Sequence, residues 1–302
     1  MNLLISRRRT AVVLLLVALG ALGFQLNRTQ LWEDRAIYAG WRVQHHVILG
    51  SCRLLDKADR TRLSGWREDC LTALADVKRR ENLVPQSRHL VVLLHGMGRS
   101  TFLFRDMQRD LRAAGFEAVA VSYPSLTRDI AGHADQVEAL LRGAKDVDRV
   151  SFVSHSLGGL VVRDLLNRED LWRDGPYGDG LTLGRVVMLA PPNQGSRLAE
   201  VLSPLPVYGW IGGPSALEIA AGPPFAPVPE GVEIAVIAGG TPDGQGFNPL
   251  LPGNNDGVVA LAETDLPGAR DRLTVHAIHT VIASAPETIA ATLNFLEHGR
   301  LR

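Results

Sequence analysis

The stretch Ser154-His155-Ser156-Leu157-Gly158-Gly159 constrains the fold of this chain more than any other. The apolar run Arg149-Val150-Ser151-Phe152-Val153 leads into it, and Leu160 to Leu166 leaves it with the pattern of a helix. A strand that turns into a helix at one residue leaves no room for bulk beside that residue, so small side chains are needed two before and two after it. Here those positions hold Ser154 and Gly158. The residue between them, Ser156, would stand out from the turn with its hydroxyl free to act as a nucleophile. The competing reading is a glycine-bearing turn of any α/β protein, and the rest of the chain supplies the context.

From residue 88 onward, apolar runs alternate with helical patterns. His89 to Leu94 is nearly unbroken apolar, as expected of a strand buried on both faces of a parallel sheet. A helical pattern follows at about 101–114, then a strand over Glu117–Tyr123, a helix around 131–143, and the 149–153 strand with its helix. Further strands are read at Arg185–Ala190, Val232–Ile237 and near Arg272–His276, with a closing helix over about 286–297. Repeated βα units of this kind predict a mainly parallel sheet with helices on both faces. The rhythm breaks at about 196–231, which holds Pro204, Pro206, Pro214, Pro223, Pro224, Pro227 and Pro229 with Tyr208, Trp210 and Phe225 among them. Seven prolines exclude one long helix. An insertion of this length reads as a cap or lid with apolar groups facing a substrate, against a surface loop packing its own aromatics.

A serine hydroxyl needs a base, and the base needs a group to orient it. On such sheets these follow in the order serine, acid, histidine. The histidines after Ser156 are His276, His279 and His298. His298 ends the closing helix and His276 falls on the last strand, whereas His279 lies just past that strand, where a loop at the carboxyl edge begins. For the acid, Asp256 in Pro252-Gly253-Asn254-Asn255-Asp256-Gly257 follows a turn-rich stretch and precedes His279 with the last strand between them; Asp243 and Asp265 are its rivals. After the first buried strand comes His95-Gly96-Met97-Gly98, whose glycines let the backbone approach a ligand closely. The amides of Met97 and Leu157 are the expected donors to a developing oxyanion, with His95 holding the loop.

These segments, with Ala190-Pro191-Pro192-Asn193-Gln194-Gly195-Ser196, Asn255-Asp256-Gly257-Val258-Val259 and His279-Thr280, resemble the stations of the α/β-hydrolase superfamily, in its bacterial triacylglycerol lipase and esterase-like branch. The similarity covers about 88–298. Ser154 stands where the family usually has glycine, and the opening antiparallel strands of larger members look absent. The resemblance implies an α/β-hydrolase fold and a serine hydrolase cleaving small-molecule or lipid esters through an acyl-enzyme, with Ser156, Asp256 and His279 as the catalytic residues. Acyl transfer or thioester cleavage on the same residues, or a silent membrane-tethered binding protein, are the alternatives. No metal or organic cofactor is implied.

The first thirty residues read as a targeting segment. Arg7-Arg8-Arg9 precede the apolar stretch Ala11–Phe24, a pattern shared by a cleaved signal peptide and an uncleaved signal anchor over residues 1–24. Either places the body outside the cytoplasm, in the periplasm or anchored at a membrane. Residues 25–87 read as an N-terminal helical segment, and 88–302 as the hydrolase domain. The four basic residues of the first thirty leave the remainder with a net charge of −4, which gives no electrostatic reason for nucleic-acid binding. The two cysteines, Cys52 and Cys70, are an even count in an exported chain and permit a disulfide.

Overall fold

The computed structural model describes residues 30–172 and 180–302; the expected targeting segment lies outside them. Within these residues, no helix is long and apolar enough to cross a membrane. The main body is a six-stranded parallel sheet in the order β10-β9-β8-β7-β5-β6. Its strands are β5 (His89–Leu94), β6 (Glu117–Val121), β7 (Arg149–His155), β8 (Thr182–Leu189), β9 (Ile234–Gly240) and β10 (Asp271–His276). Every residue of β6 and β9 is buried, as is all of β5 beyond His89, which is why these segments are apolar but for Glu117 at the start of β6, whose carboxylate accepts from the Gln86 N–H at 2.9 Å. Helices α3 (Ile130–Gly143) and α4 (Leu157–Leu166) supply a core on one face, and α2 (Arg105–Ala113) and α7 (Pro286–His298) a core on the other. Chain order reverses between β5 and β7, so a crevice opens beyond their carboxyl ends.

The segment before β5 departs from the helical expectation for 25–87. It is an antiparallel meander, β1 (Trp32–Tyr38), β2 (Trp41–His46), β3 (Ser51–Leu55) and β4 (Thr61–Trp66), and only α1 (Arg67–Arg80) is helical. Opening antiparallel strands are therefore present. The β1–β2 turn takes positive φ at both Ala39 (46°) and Gly40 (79°), as a tight hairpin requires. The strands escape notice in the sequence because several inward positions are polar: Glu33, Asp34, Arg42 and Gln44 are all buried and interrupt the apolar alternation. Cys52 of β3 and Cys70 of α1 are joined in a disulfide. It closes a loop with a sequence separation of 18, for which loop closure alone is worth about 3 kcal/mol.

Asp34 fastens this meander to the parallel sheet. Its carboxylate accepts from both Arg42 (3.0 Å) and Gln44 (2.8 Å) on β2 and from the Ser122 N–H beyond β6 (2.6 Å). Its own N–H donates to the Ser122 carbonyl at 2.9 Å. Removing one member of a buried ion pair strands the other charge. Asp34→Ala leaves Arg42 with Asp59 (2.6 Å) as its remaining partner and takes the acceptor from Gln44 and the Ser122 N–H, and it is expected to cost about 3 kcal/mol in urea unfolding.

Burial lowers the pKa of His95 to about 4 and that of His133 to about 4, in His133 aided by the nearby Arg128 charge. Both are neutral in the fold and protonate near 6.5 in the unfolded chain, so their stabilisation is complete above that value and is lost as pH falls toward 4. At pH 5 the loss is about 2 kcal/mol per histidine. His133 meets the Tyr123 ring edge-on at 5.0 Å, a place that phenylalanine can fill. His133→Phe is expected to lose about 2 kcal/mol less than wild type when urea unfolding at pH 7 and pH 5 is compared.

Candidate active site

Ser156 sits where β7 passes into α4, with φ 53° and ψ −123°. A non-glycine residue in that region carries strain of about 1–3 kcal/mol, and its neighbours hold it there. The Ser156 N–H donates to the Leu189 carbonyl of β8 at 2.9 Å. A Cβ placed on Gly158 would lie 2.4 Å from the Leu94 carbonyl oxygen, so only glycine lets the helix start this close to β5. Ser154 is wholly buried, and its hydroxyl points toward the Val187 carbonyl at 3.5 Å. The hydroxyl thus finds an acceptor in a place where the common pattern has no side chain.

The structure brings His279 and Asp256 together. Asp256 Oδ2 is 2.6 Å from His279 Nδ1, and both side chains are buried. The other oxygen, Oδ1, accepts from the N–H groups of Val258 (3.0 Å) and Val259 (2.7 Å), while the His279 N–H donates to the Asp256 carbonyl at 2.9 Å. With Nδ1 turned to the acid, Nε2 of His279 is the nitrogen left to meet a nucleophile. The rivals lie elsewhere. Asp243 accepts from the Gln245 N–H, and Asp265 pairs with Arg272. His276 is exposed and stacks on Phe247, and His298 lies beside Glu297 at the end of α7.

His279 also touches the segment that carries Ser156. His155 Nε2 lies 3.0 Å from the His279 carbonyl and donates to it, and the two rings are 4.6 Å apart. Burial, reinforced by the neighbouring His279, pushes the His155 pKa well below its ordinary value. His155 is therefore a neutral strut.

The loop His95–Gly98 packs against this turn from β5. A Cβ on Gly96 would fall 2.9 Å from Ser156 Cβ and 2.8 Å from His155 Nδ1, so the loop backbone comes as near to Ser156 as glycine allows. His95 holds the loop as expected: its Nδ1–H donates to the Gly96 carbonyl at 2.8 Å, its ring stacks on Tyr123 at 4.4 Å, and the Tyr123 hydroxyl donates to its carbonyl. Met97 follows Gly96 in this loop, and Leu157 opens α4 directly after Ser156, where first-turn N–H groups have no acceptor within the helix.

Several supporting residues escaped the sequence reading. A Cβ on Gly239 would meet Asp256 Cβ at 2.8 Å, so this glycine makes room for the acid. Gln30 donates to the Arg99 carbonyl at 3.4 Å and accepts from Ser125, whose hydroxyl accepts from the Gly98 N–H at 3.0 Å. The Pro191–Ser196 stretch is a brace. Arg163 of α4 donates to the Asn193 carbonyl at 3.2 Å and to the Ala226 carbonyl at 2.7 Å, and Asn193 Nδ2 donates to the Thr264 carbonyl at 3.2 Å. For Gly239 alone a signal existed, a glycine ending an apolar strand.

The proline-rich insertion folds as α5 (Arg197–Leu202) and α6 (Pro206–Ala221), and α6 breaks at Gly213, φ 72°. A Cβ on Gly213 would lie 2.0 Å from the Leu126 carbonyl oxygen. Beyond the break, Ser215 donates to the Arg128 carbonyl and Glu218 accepts from the Ile130 N–H, both at 2.8 Å. Before it, Gly212 lies against the Met97 sulfur, and Trp210 is 85% exposed.

Comparisons with known proteins agree with this architecture. A family model described as a domain of unknown function (DUF7379) matches residues 55–203. No curated protein matches the sequence. Among solved structures, the chain is similar to the mature form of the Bacillus licheniformis lipase BlEst2, with a TM-score of 0.51 and 20% identity over 69% of this chain and 90% of that one. It is similar to the propeptide form of the same lipase with a TM-score of 0.53 and 20% identity, over 68% of this chain and 49% of that one, about half its length. The parallel sheet in this order, the serine turn at the reversal of chain order and these likenesses show that the chain has the α/β-hydrolase fold.

Proposed function

We propose that the chain is a serine hydrolase of carboxylic esters, with Ser156 as nucleophile, His279 as general base and Asp256 holding it. The observation that carries this reading is the buried 2.6 Å contact between Asp256 and His279, lodged against the residue before a strained serine. Ser156 Oγ attacks the ester carbonyl while His279 Nε2 takes its proton. Asp256 keeps the Nδ1–H tautomer and stabilises the imidazolium. The N–H groups of Met97 and Leu157 receive the oxyanion. The proton on His279 passes to the departing alcohol, and water then cleaves the acyl-enzyme by the same route. The insertion serves as a cap, with exposed Val201, Leu205, Trp210 and Ile211 suited to an ester with an apolar acyl chain. The Cys52–Cys70 disulfide and the basic-then-apolar start of the chain favour a domain exported from the cytoplasm.

A fluorophosphonate probe is expected to label wild type and not Ser156→Ala; an unlabelled wild type, or equal labelling of both, sinks the assignment. With a short p-nitrophenyl ester, Asp256→Asn is expected to lower kcat about ten-thousandfold by releasing the wrong tautomer. Acyl transfer to an added alcohol in preference to water would move the assignment to an acyltransferase.

A further inference from the structure

β1 runs from the carboxyl edge of the parallel sheet to its amino edge. At its start, Gln30 bonds Arg99 and Leu126, both in loops beyond strand carboxyl ends. At its finish, Ile37 and Tyr38 line a small cavity with Glu117, the first residue of β6. The chain that follows the apolar stretch Ala11–Phe24 therefore joins the domain at the edge that carries Ser156, between the His95–Gly98 loop and the break in α6.

The turn between β2 and β3 projects at the same place. The Val47 N–H donates to the Leu31 carbonyl at 2.9 Å, and a cleft of about 570 Å³ is lined by Leu31, Trp32 and His46 together with Ser100 and Thr101. At its tip Ile48 is 75% exposed, with Leu49 beside it in sequence and also exposed. Trp66, 68% exposed, pairs with Ser51 at the base of the same turn. Phe102 is exposed next to Thr101, with the Arg105 guanidinium 4.8 Å over its ring. Among the described residues, the exposed large apolar side chains are strongly one-sided. Most of them follow a strand of the parallel sheet at its carboxyl end or sit at the β2–β3 turn and the base of that hairpin, whereas Leu63 lies in mid-β4 and Val84 before β5. Exposed tryptophans around aliphatic tips, on the side where the described chain begins at Gln30, a few residues after the apolar stretch in sequence, are the pattern of a membrane–water interface.

We infer that the carboxyl edge of the sheet is a surface that seats on a lipid bilayer, with Ile48, Leu49 and Trp66 of the meander as its docking element. The catalytic turn then faces the bilayer that receives the chain's own apolar segment. The docking itself stands apart from the proposed function, and only its activity readout rests on the ester-hydrolase reading.

The test uses the full chain reconstituted into phosphatidylcholine vesicles brominated on the acyl chains, with intrinsic tryptophan fluorescence as readout. Bromine is expected to quench the wild type relative to unbrominated vesicles, and Trp66→Phe and Trp210→Phe each to remove part of the quenching. Ile48→Ser with Leu49→Ser is expected to lower quenching by roughly half or more, since the aliphatic tip no longer seats Trp66 at the interface. Leu63→Ser with Val84→Ser, away from this edge, is the control and leaves quenching unchanged. The Ile48/Leu49 pair is also expected to slow turnover of a vesicle-borne long-chain ester by several fold while leaving a soluble short-chain ester unaffected. Quenching that none of the carboxyl-edge variants alters overturns the inference, as does a dimer in detergent that these same variants dissociate. If wild type turns over neither ester, the proposed function fails and the quenching still decides the docking.

Discussion

The backbone at Ser156 is the constraint to which the rest of the molecule answers. Holding a serine at φ 53° between a strand and a helix needs three chain segments within touching distance. β5 must pass so near that Gly158 has no room for a methyl group, the next loop must bring Gly96 against Ser156, and β8 must supply the Leu189 carbonyl. These contacts come from the middle of the sheet, where burial on both faces makes strands hardest to displace. Strain of a few kcal/mol is tolerable there because it is spread over elements that cannot move separately.

Asp256 and His279 are held by a different device. Both Asp256 oxygens are occupied, one by two backbone N–H groups and the other by His279, so the carboxylate is anchored without another side chain. His155 then links this pair to the serine turn through the His279 carbonyl. Its neutrality matters: a charged imidazole 4.6 Å from His279 would oppose any positive charge on the His279 ring, including the one the proposed mechanism places there. Arg163 and Asn193 complete the frame by tying the helix behind Ser156 to the end of the insertion and to the 261–265 turn after Asp256.

How much of this was legible depends on how each residue does its work. Strands β5, β6, β7 and β9 read directly from sequence because burial on both faces forces apolar runs, whereas β10 alternates buried and exposed residues; His279 read from its place just past β10, and Asp256 from the turn-rich stretch before it. The meander did not, because Asp34, Arg42 and Gln44 occupy inward positions that a hydrophobic pattern would reserve for Val or Leu. Their mutual hydrogen bonds make the burial possible, and no single residue announces its partner. Gln30 and His155 were invisible as supports for the same reason, since each acts through a backbone carbonyl of a segment 69 or 124 residues away.

The two edges of the parallel sheet divide the labour. Near the amino ends, ion pairs such as Arg88–Asp148 and the Glu233 pairs with Arg185 and Arg270 keep the surface polar. At the carboxyl ends the loops carry Ser156, Asp256, His279 and most exposed apolar side chains. A parallel sheet turns every βα loop to this one side, so a chain needs few changes to gather reactive and apolar groups there. The meander extends the same edge outward, because β1 starts there and β2 returns there. Asp34 therefore does more than stabilise an appendage, for it sets where the β2–β3 turn stands relative to the crevice beside Ser156.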